Sequence, residues 1–126
     1  MRSYSTNYIS REELKEVECF ADKLFESLGI DIAFTNHFYE RLNDPRNGKQ
    51  ITDTELKDMF KDMFLKIGDD LSKMQIDTEA VINDVSSKLN IPFVLVYDKR
   101  NNEVDLVSKT IMRKHDFKTN TKKLKI

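Results

Sequence analysis

The sequence predicts an α+β fold, with N-terminal helices packed on a small antiparallel sheet. Its first half carries apolar residues at steps of three and four, which is the spacing of amphipathic helices. Its second half carries a run of β-branched and aromatic residues, a polar turn and a second such run, which indicates a β-hairpin. The chain has 126 residues, the length of one domain, so we expect residues 1–126 to form a single domain.

The first predicted helix begins at Ser10, after a flexible arm over residues 1–9. Ser10 and Glu13 have the spacing of a capping box, in which each side chain accepts a hydrogen bond from the backbone of the other residue. An apolar stripe then continues to Leu28. Gly29 is expected to end the helix, because glycine tolerates the left-handed conformation found there.

Two more helices are predicted in the first half of the chain. The first covers residues 32–42, where apolar side chains recur every four residues. The second begins at Thr52, which forms a capping box with Glu55, and it ends near Gly68. Together with the first helix, they form a predicted helical layer over residues 10–68. The pattern weakens after Asp69, where Leu71, Met74 and Ile76 could continue the helix or form a loop.

Antiparallel strands are predicted over residues 79–113. The clearest strand begins at Pro92 and is rich in Val, Phe and Tyr. A hairpin loop at residues 98–102 connects it to a return strand over residues 103–113. Because a two-stranded sheet is marginal alone, we expect a third strand at residues 79–85 or pairing of the hairpin with another chain.

Charge is distributed unevenly along the chain, although the net charge is only −1. Residues 108–126 contain seven Lys and Arg residues and one acid, whereas the other 107 residues contain 14 basic and 21 acidic residues. Residues 114–126 are therefore described as a basic C-terminal segment. Two interpretations are open: a surface that meets nucleic acid, or a tail that is solvated or docks on its own acidic body.

Composition excludes several kinds of site. A single Cys excludes an intrachain disulfide, and one Cys with two His excludes a four-ligand zinc site. Three isolated glycines form no phosphate-binding loop, and the acidic pairs lack the spacing of a calcium loop. No apolar run approaches the ~18 residues of a membrane span, and the N-terminus resembles no secretory signal. We expect no cofactor, no metal and no membrane partner.

The first candidate site lies on the second predicted helix. His37 and Arg41 are four residues apart, so they share a helix face about 5–6 Å apart at the Cβ level. Metal-independent phosphodiester cleavage needs a base for the proton of the attacking 2′-hydroxyl and cations for the charge that develops on phosphorus. The same spacing is typical of surface ion pairs, in which His37 or Arg41 pairs with Glu40 or Asp44.

The second candidate site lies at the end of the return strand. It combines a hydroxyl with several cations, which are groups that hold a phosphate. Its members are Lys109, Thr110, Arg113 and Lys114. The alternative interpretation is an edge strand on which lysines prevent aggregation.

The order of these motifs resembles that of small ribonuclease-like domains of the RelE, barnase, EndoU and colicin type, especially those that phages encode. The resemblance rests on His-x-x-x-Arg at residues 37–41, Ile-Thr-x-x-Glu-Leu at residues 51–56, Ile-Pro-Phe-Val-Leu at residues 91–95 and Lys-Thr-Ile-Met-Arg at residues 109–113. Residues 1–32 fall outside it.

The resemblance implies a ribonuclease-like fold of the RelE or EndoU type, and cleavage or binding of RNA without a metal ion. In that family's pattern, His37 is the general base or acid. Arg41 and Lys109 stabilise the phosphorane, and Thr110 orients the phosphate. The implied phosphate-binding residues are Arg46, Arg113, Lys114 and His115. The acidic body is unusual for an enzyme of this kind.

The alternative function is that of a non-enzymatic phage virion protein or host-interaction protein. The partner is RNA in the first case, through the basic C-terminal segment, and a host or virion protein in the second. The expected location is the host cytoplasm or the virion, and the oligomeric state stays open. A ribonuclease requires its four catalytic residues to converge in one cleft, whereas the alternative predicts an exposed apolar patch or an arm packed on another copy.

Overall fold

The structure, a computed structural model, describes residues 8–126, and the predicted α+β class is confirmed. Its helices are α1 (Arg11–Phe25), α2 (Asn36–Leu42) and α3 (Asp53–Lys73), with 3-10 turns at Glu26–Leu28 and Pro45–Asn47. Its strands are β1 (Ile30–Phe34), β2 (Glu79–Asn83), β3 (Leu89–Asp98), β4 (Glu103–Ser108), β5 (Met112–Arg113) and β6 (Lys122–Lys125). Within this part of the chain, no helix has the length and apolar character to cross a bilayer.

The strands form one mixed sheet, which is larger than the small antiparallel sheet that the sequence predicts. β1, β4, β3, β2 and β6 lie side by side in that order, and β5 pairs with the start of β3. The central pairs β2–β3 and β3–β4 are antiparallel, as predicted. The outer pairs β1–β4 and β2–β6 are parallel, and a long stretch of chain separates the two strands of each pair, as a parallel arrangement requires.

The predicted helix over residues 32–42 is wrong in its first part, since Ile30–Phe34 form β1. Burial alternates over the first three residues of this segment, as it does in a strand with one face in the core. α2 begins only after Thr35, whose hydroxyl accepts a hydrogen bond from the backbone N–H of Phe38. The four-residue apolar spacing is misleading because Phe34, although it lies in the strand, stacks on Phe38 with ring centroids 4.5 Å apart.

The helical layer predicted over residues 10–68 therefore contains a strand, but both capping boxes are confirmed. Ser10 caps α1, and Thr52 caps α3. α3 does not end near Gly68 but continues to Lys73, which is the helical one of the two alternatives for the following residues. A Cβ at this buried position would lie 3.3 Å from Cδ1 of Leu28, so the glycine allows α3 to pack closely on the turn after α1.

The strand predictions for the second half are confirmed in part. The third strand expected over residues 79–85 is present as β2. The return strand expected over residues 103–113 is divided, because the chain leaves the sheet at residues 109–111, between β4 and β5. β3 begins before Pro92, which therefore lies inside the strand rather than at its start.

The described part of the predicted arm and the basic C-terminal segment both pack on the body of the protein. Of the arm expected over residues 1–9, the first seven residues lie outside the described part. Ile9 is buried, and its backbone N–H and carbonyl both form hydrogen bonds with the side chain of Asn43. The basic C-terminal segment contributes β6, which pairs with β2 and buries Leu124. It therefore docks on the body of the protein rather than forming a solvated tail.

The sheet has one face in the core and one open face. On the core face, apolar side chains from neighbouring strands pack with those of α1 and α3; they include Ile32, Leu106, Leu95, Ile82 and Leu124. Because side chains alternate along a strand, the residues between these positions lie on the other side of the sheet, which we call the open face. Its side chains carry the charged clusters described next.

Candidate functional site

A hollow of about 190 Å³ lies between the end of β2, β6 and the segment that follows β5. We call it the basic groove. Its lining includes four lysines, one imidazole and one aromatic ring, contributed by Lys88, Lys114, Lys123, Lys125, His115 and Phe117. Asp116 is the acid in the lining. The groove therefore surrounds a small volume with positive charge and places an aromatic ring beside it.

A buried asparagine holds the two sides of the basic groove together. Asn90 is fully buried, and its side-chain amide donates hydrogen bonds to the carbonyls of Lys88, Met112 and Lys114 at 3.0–3.3 Å. Its side-chain oxygen accepts a hydrogen bond of 2.7 Å from Nδ2 of Asn83, which also lines the groove. The positions of two groove lysines are thus fixed from beneath by one side chain.

The backbone of the groove is held in an unusual conformation. Lys88 has φ 66° and Asp116 has φ 55°, both in the left-handed region that costs a non-glycine residue about 1–3 kcal/mol. The turn that contains Lys88 is fixed by Asp84, whose carboxylate accepts hydrogen bonds from the N–H and the hydroxyl of Ser86. Backbone strain of this kind persists only where the surrounding structure holds the residue in place, and it is frequent at functional sites.

The charge of the groove lysines is not neutralised by carboxylates. Within residues 8–126, none of the four forms an ion pair. Lys123 Nζ donates to the carbonyl oxygen of Phe117 at 2.6 Å, and Lys88 Nζ donates to that of Val85 at 3.2 Å. Carbonyl oxygens satisfy donors without removing charge. An anionic ligand would therefore meet ammonium groups that no carboxylate of residues 8–126 holds in an ion pair, although Asp116 also lines the groove.

Two of the predicted phosphate-binding residues, Lys114 and His115, lie in the basic groove. His115 is exposed, and its Nε2 lies 3.2 Å from a carboxylate oxygen of Asp116. Both residues follow β5 directly. The charge pattern of the C-terminal segment indicated this region, but the contributions of Lys88 and Asn90 were not visible in the sequence, because they reach the groove through strand pairing.

Arg113 lies next to Lys114 but is directed into the protein. Its guanidinium bonds both carboxylate oxygens of Glu55 at 2.8 and 3.0 Å and also donates to backbone carbonyls, among them that of Ser87. Its side chain is only 12% exposed. Burial raises the pKa of Glu55, but the hydrogen bonds from Arg113 and from the Thr52 backbone outweigh it, so the pKa lies below the usual value. Arg113 is thus occupied by internal partners.

The candidate residues on and after α2 are paired with local acids. His37 is exposed, and its Nδ1 lies 3.9 Å from Glu40. Arg41 Nε lies 3.6 Å from Asp44, and Arg46 forms hydrogen bonds with both oxygens of the same carboxylate. The hydrogen bonds from Arg46 lower the pKa of Asp44 to about 2. These are the surface ion pairs that the spacing also allowed.

Lys109 and Thr110 lie beside the start of α2. The hydroxyl of Thr35, which caps α2, donates to the carbonyl of Lys109 at 2.8 Å. Lys109 Nζ, however, pairs with Glu79 at 3.2 Å, and the hydroxyl of Thr110 is buried and has no hydrogen-bond partner within residues 8–126. Among the described residues, no side-chain hydrogen bond or ion pair joins any two of His37, Arg41, Lys109 and Thr110. Their convergence in one cleft stays a prediction.

A group of carboxylates occupies the opposite corner of the open face. Side-chain oxygens of Asp31, Glu103 and Asp105 lie within 4.8 Å of one another, and we call this group the acidic corner. Carboxylate oxygens are ligands for hard cations, so these are the described residues that have the geometry to share one. Burial first, and neighbouring acids second, raise the pKa values of Glu103 and Asp105.

Asp22 of α1 extends the acidic corner around the edge of the sheet. It accepts a hydrogen bond of 2.7 Å from the backbone N–H of Ile32 in β1. Burial, together with the nearby acids Asp31 and Glu18, raises the pKa of Asp22 to about 7. Sequence reasoning missed the acidic corner, because parallel pairing of β1 with β4 places Asp31 opposite Asp105 across a long stretch of chain.

No protein family, curated protein or solved structure matches this chain.

Proposed function

We propose that the protein is a ribonuclease-like domain of phage type that binds RNA through the basic groove. The observation that carries this proposal is the set of four lysines that surround a small hollow and form no ion pair with a carboxylate of residues 8–126. Lysine ammonium groups bind phosphate as point charges, and they supply affinity that does not depend on base sequence. The order of motifs that resembles the ribonuclease-like domains also favours RNA as the ligand.

An aromatic ring in the groove favours single-stranded RNA. Phe117 lines the groove and is half-buried, so part of its ring faces the ligand volume. Proteins that bind single strands combine a basic path for the backbone with aromatic rings on which bases stack, at about 1–3 kcal/mol per base. Duplex RNA keeps its bases stacked within the helix, and it offers nothing to such a ring.

The geometry supports binding better than cleavage. Metal-independent cleavage needs a base and cations at one reacting centre. The imidazole in the groove is that of His115, whereas His37 is on α2 beside Glu40. The experiment below therefore also measures RNA cleavage, and it tests His115 and His37 separately.

The test is fluorescence anisotropy of a labelled single-stranded RNA in EDTA over a series of salt concentrations. The groove variant is Lys114→Ala/Lys125→Ala, and the matched control removes two exposed lysines of α3 as Lys61→Ala/Lys73→Ala. We expect the groove variant to weaken binding about tenfold or more. We also expect it to lower the salt slope by about 1.4, since each phosphate contact contributes about 0.7 on single strands.

The proposal is contradicted if both double variants lose affinity equally, or if wild-type protein does not bind. Single-stranded DNA of the same sequence distinguishes recognition of the 2′-hydroxyl from recognition of phosphate alone. A gel of the same samples reports cleavage. Product that is lost in His115→Ala assigns chemistry to the groove, and product that is lost only in His37→Ala assigns it to α2.

A further inference from the structure

The open face has an apolar centre. Val96 of β3 is 39% exposed at a position where a solvent-facing strand residue is ordinarily polar. Beside it, Ala33, Val107 and Val94 lie directly opposite one another across β1, β4 and β3. All three are half-buried, so together with Val96 they form an apolar strip across three strands.

Charges of opposite sign flank this strip at diagonal corners. The acidic corner lies on β1 and β4, and the basic groove lies at β2 and β6. From Asp105 to Lys125 there are three strand spacings and six residues along β3, which is roughly 14 Å across and 20 Å along the sheet. Within the described residues, the carboxylates of the acidic corner form no ion pair with any base.

The close carboxylates of the acidic corner destabilise the folded monomer. Asp31 and Asp105 are direct neighbours in the parallel pair, and like charges directly opposite one another destabilise a sheet. Among the described residues, one carboxylate oxygen of Asp105 is buried without a hydrogen-bond partner. A cation from a second molecule would offset the repulsion between the carboxylates, and the lysines of the basic groove are present on the same face.

We infer that the open face pairs with the open face of a second copy, so that the acidic corner of each copy lies on the basic groove of the other. A two-fold axis parallel to the sheet and perpendicular to the line between the corners brings both pairs together at once. Isologous contacts of this kind are self-complementary by symmetry. The apolar strips, which lie between the corners, meet at the axis.

The size of the face predicts a weak dimer. Five strands about 4.8 Å apart and about 18 Å long give at most roughly 430 Å² per copy, or about 900 Å² in total, and the burial of Val81 and Asn90 on this face lowers the accessible part. Such an area lies at the low end of specific interfaces, where association is transient. Because the contact depends on exposed charges, its strength falls as salt is added. The dimer does not require RNA binding, but RNA and the second copy occupy the same groove and exclude each other.

The test is sedimentation velocity over a range of protein concentrations with three charge variants. Glu103→Lys reduces the formal charge of the acidic corner from three negative charges to one, Lys125→Glu lowers the charge of the groove by two, and Glu16→Lys changes an exposed acid of α1 as the control. At about 50 mM salt, wild type and Glu16→Lys are expected to dimerise at protein concentrations at which Glu103→Lys and Lys125→Glu alone stay monomeric, because both contacts are weakened in each variant's own dimer. An equimolar mixture of those two variants is expected to recover part of the dimer, because one contact in the mixed pair joins an unchanged groove to an unchanged acidic corner.

The inference is overturned if wild type stays monomeric at all concentrations, or if the mixture stays monomeric while wild type dimerises. RNA binding by Glu103→Lys separates this result from the proposed function, since that variant leaves the groove intact. A variant that binds RNA but does not dimerise supports both proposals. If wild type dimerises but does not bind RNA, the proposed function alone is overturned.

Discussion

The two charged corners of the open face are assembled in the same way from opposite charges. Each depends on a parallel pair at the edge of the sheet, β1 with β4 at one side and β2 with β6 at the other. Burial first, and neighbouring acids second, raise the pKa values of Glu103 and Asp105 at one corner, whereas lysines surround a hollow at the other. Although the net charge of the chain is close to zero, the acidic corner and the basic groove each have a local electrostatic potential of their own. A ligand interacts with the local potential rather than with the net charge.

The internal pair of Arg113 with Glu55 shows the opposite arrangement. There, the guanidinium and the carboxylate satisfy each other and the surrounding backbone, and little of either reaches solvent. The charge at this site stabilises the fold, whereas Lys114, one residue later, forms no ion pair among residues 8–126. The two adjacent cations therefore differ in that Arg113 is held by internal partners and Lys114 is exposed in the groove.

The largest expected effect comes from breaking the internal pair. Arg113→Met leaves the carboxylate of Glu55 without its partner in a mostly buried position, and we expect a loss of about 3 kcal/mol in the free energy of unfolding. Urea denaturation measures this loss, with Arg100→Met in the exposed hairpin loop as the control. Adding Glu55→Gln to Arg113→Met is expected to recover part of the loss, because the isolated charge is removed. A change within 0.5 kcal/mol, about that of an ordinary surface substitution, contradicts the assignment.

The next effect comes from the support beneath the basic groove. Asn90→Ala removes the hydrogen bonds that join Lys88, Lys114 and Asn83, so we expect a loss of about 2 kcal/mol from unsatisfied buried groups. RNA affinity is expected to fall as well, although no lysine is changed. Asn101→Ala, in the exposed hairpin loop, is the control in the same denaturation and binding measurements. Unchanged RNA affinity in a destabilised but folded Asn90→Ala protein argues against the groove as the binding site.

The smallest effect lies in the acidic corner and depends on pH. The pKa of Asp22 is about 7 in the folded protein against an ordinary value of 3.8, so the folded state binds the proton more tightly. Protonation of Asp22 stabilises the folded state. This contribution is complete below about pH 4 and is lost as the pH rises to about 7. Asp22→Asn keeps an acceptor for the N–H of Ile32, and we expect it to stabilise the protein at pH 8 by about 1 kcal/mol, a value reduced for solvent screening.

Thermal unfolding at pH 5 and pH 8 measures this difference. We expect Asp22→Asn to raise the midpoint temperature clearly at pH 8 and only slightly at pH 5. An equal shift at both pH values excludes titration of Asp22 as the cause. A lower midpoint for Asp22→Asn at pH 8 means that the hydrogen bond from the N–H of Ile32 to the charged carboxylate stabilises the protein more than burial of that carboxylate destabilises it.

Local signals predicted most of the helices and the central strands. The capping boxes at Ser10 and Thr52 depend on residues three positions apart, so they are readable from the sequence, and the hairpin has its own turn residues. β1 was not predictable in this way, because Phe34 continues the apolar spacing of α2 while it lies in a strand. The end of α3 was missed since Gly68 serves packing there and not termination.

The candidate site was predictable only in outline. The excess of lysine after Ser108 indicated a basic surface, and Lys114 and His115 do line the groove. The contributions of Lys88 and Asn90 depend on how β2, β3 and β6 pair, which no local pattern specifies. The acidic corner depends on the parallel pairing of distant strands for the same reason.

Amide chemical shifts of ¹⁵N-labelled protein during titration with a short single-stranded RNA test the basic groove most directly. The largest changes are expected at Lys88, at residues 114–117 and at Lys123 and Lys125, with small changes on α2. Changes centred on His37 and Arg41, with the groove unaffected, would contradict the basic groove as the RNA-binding site.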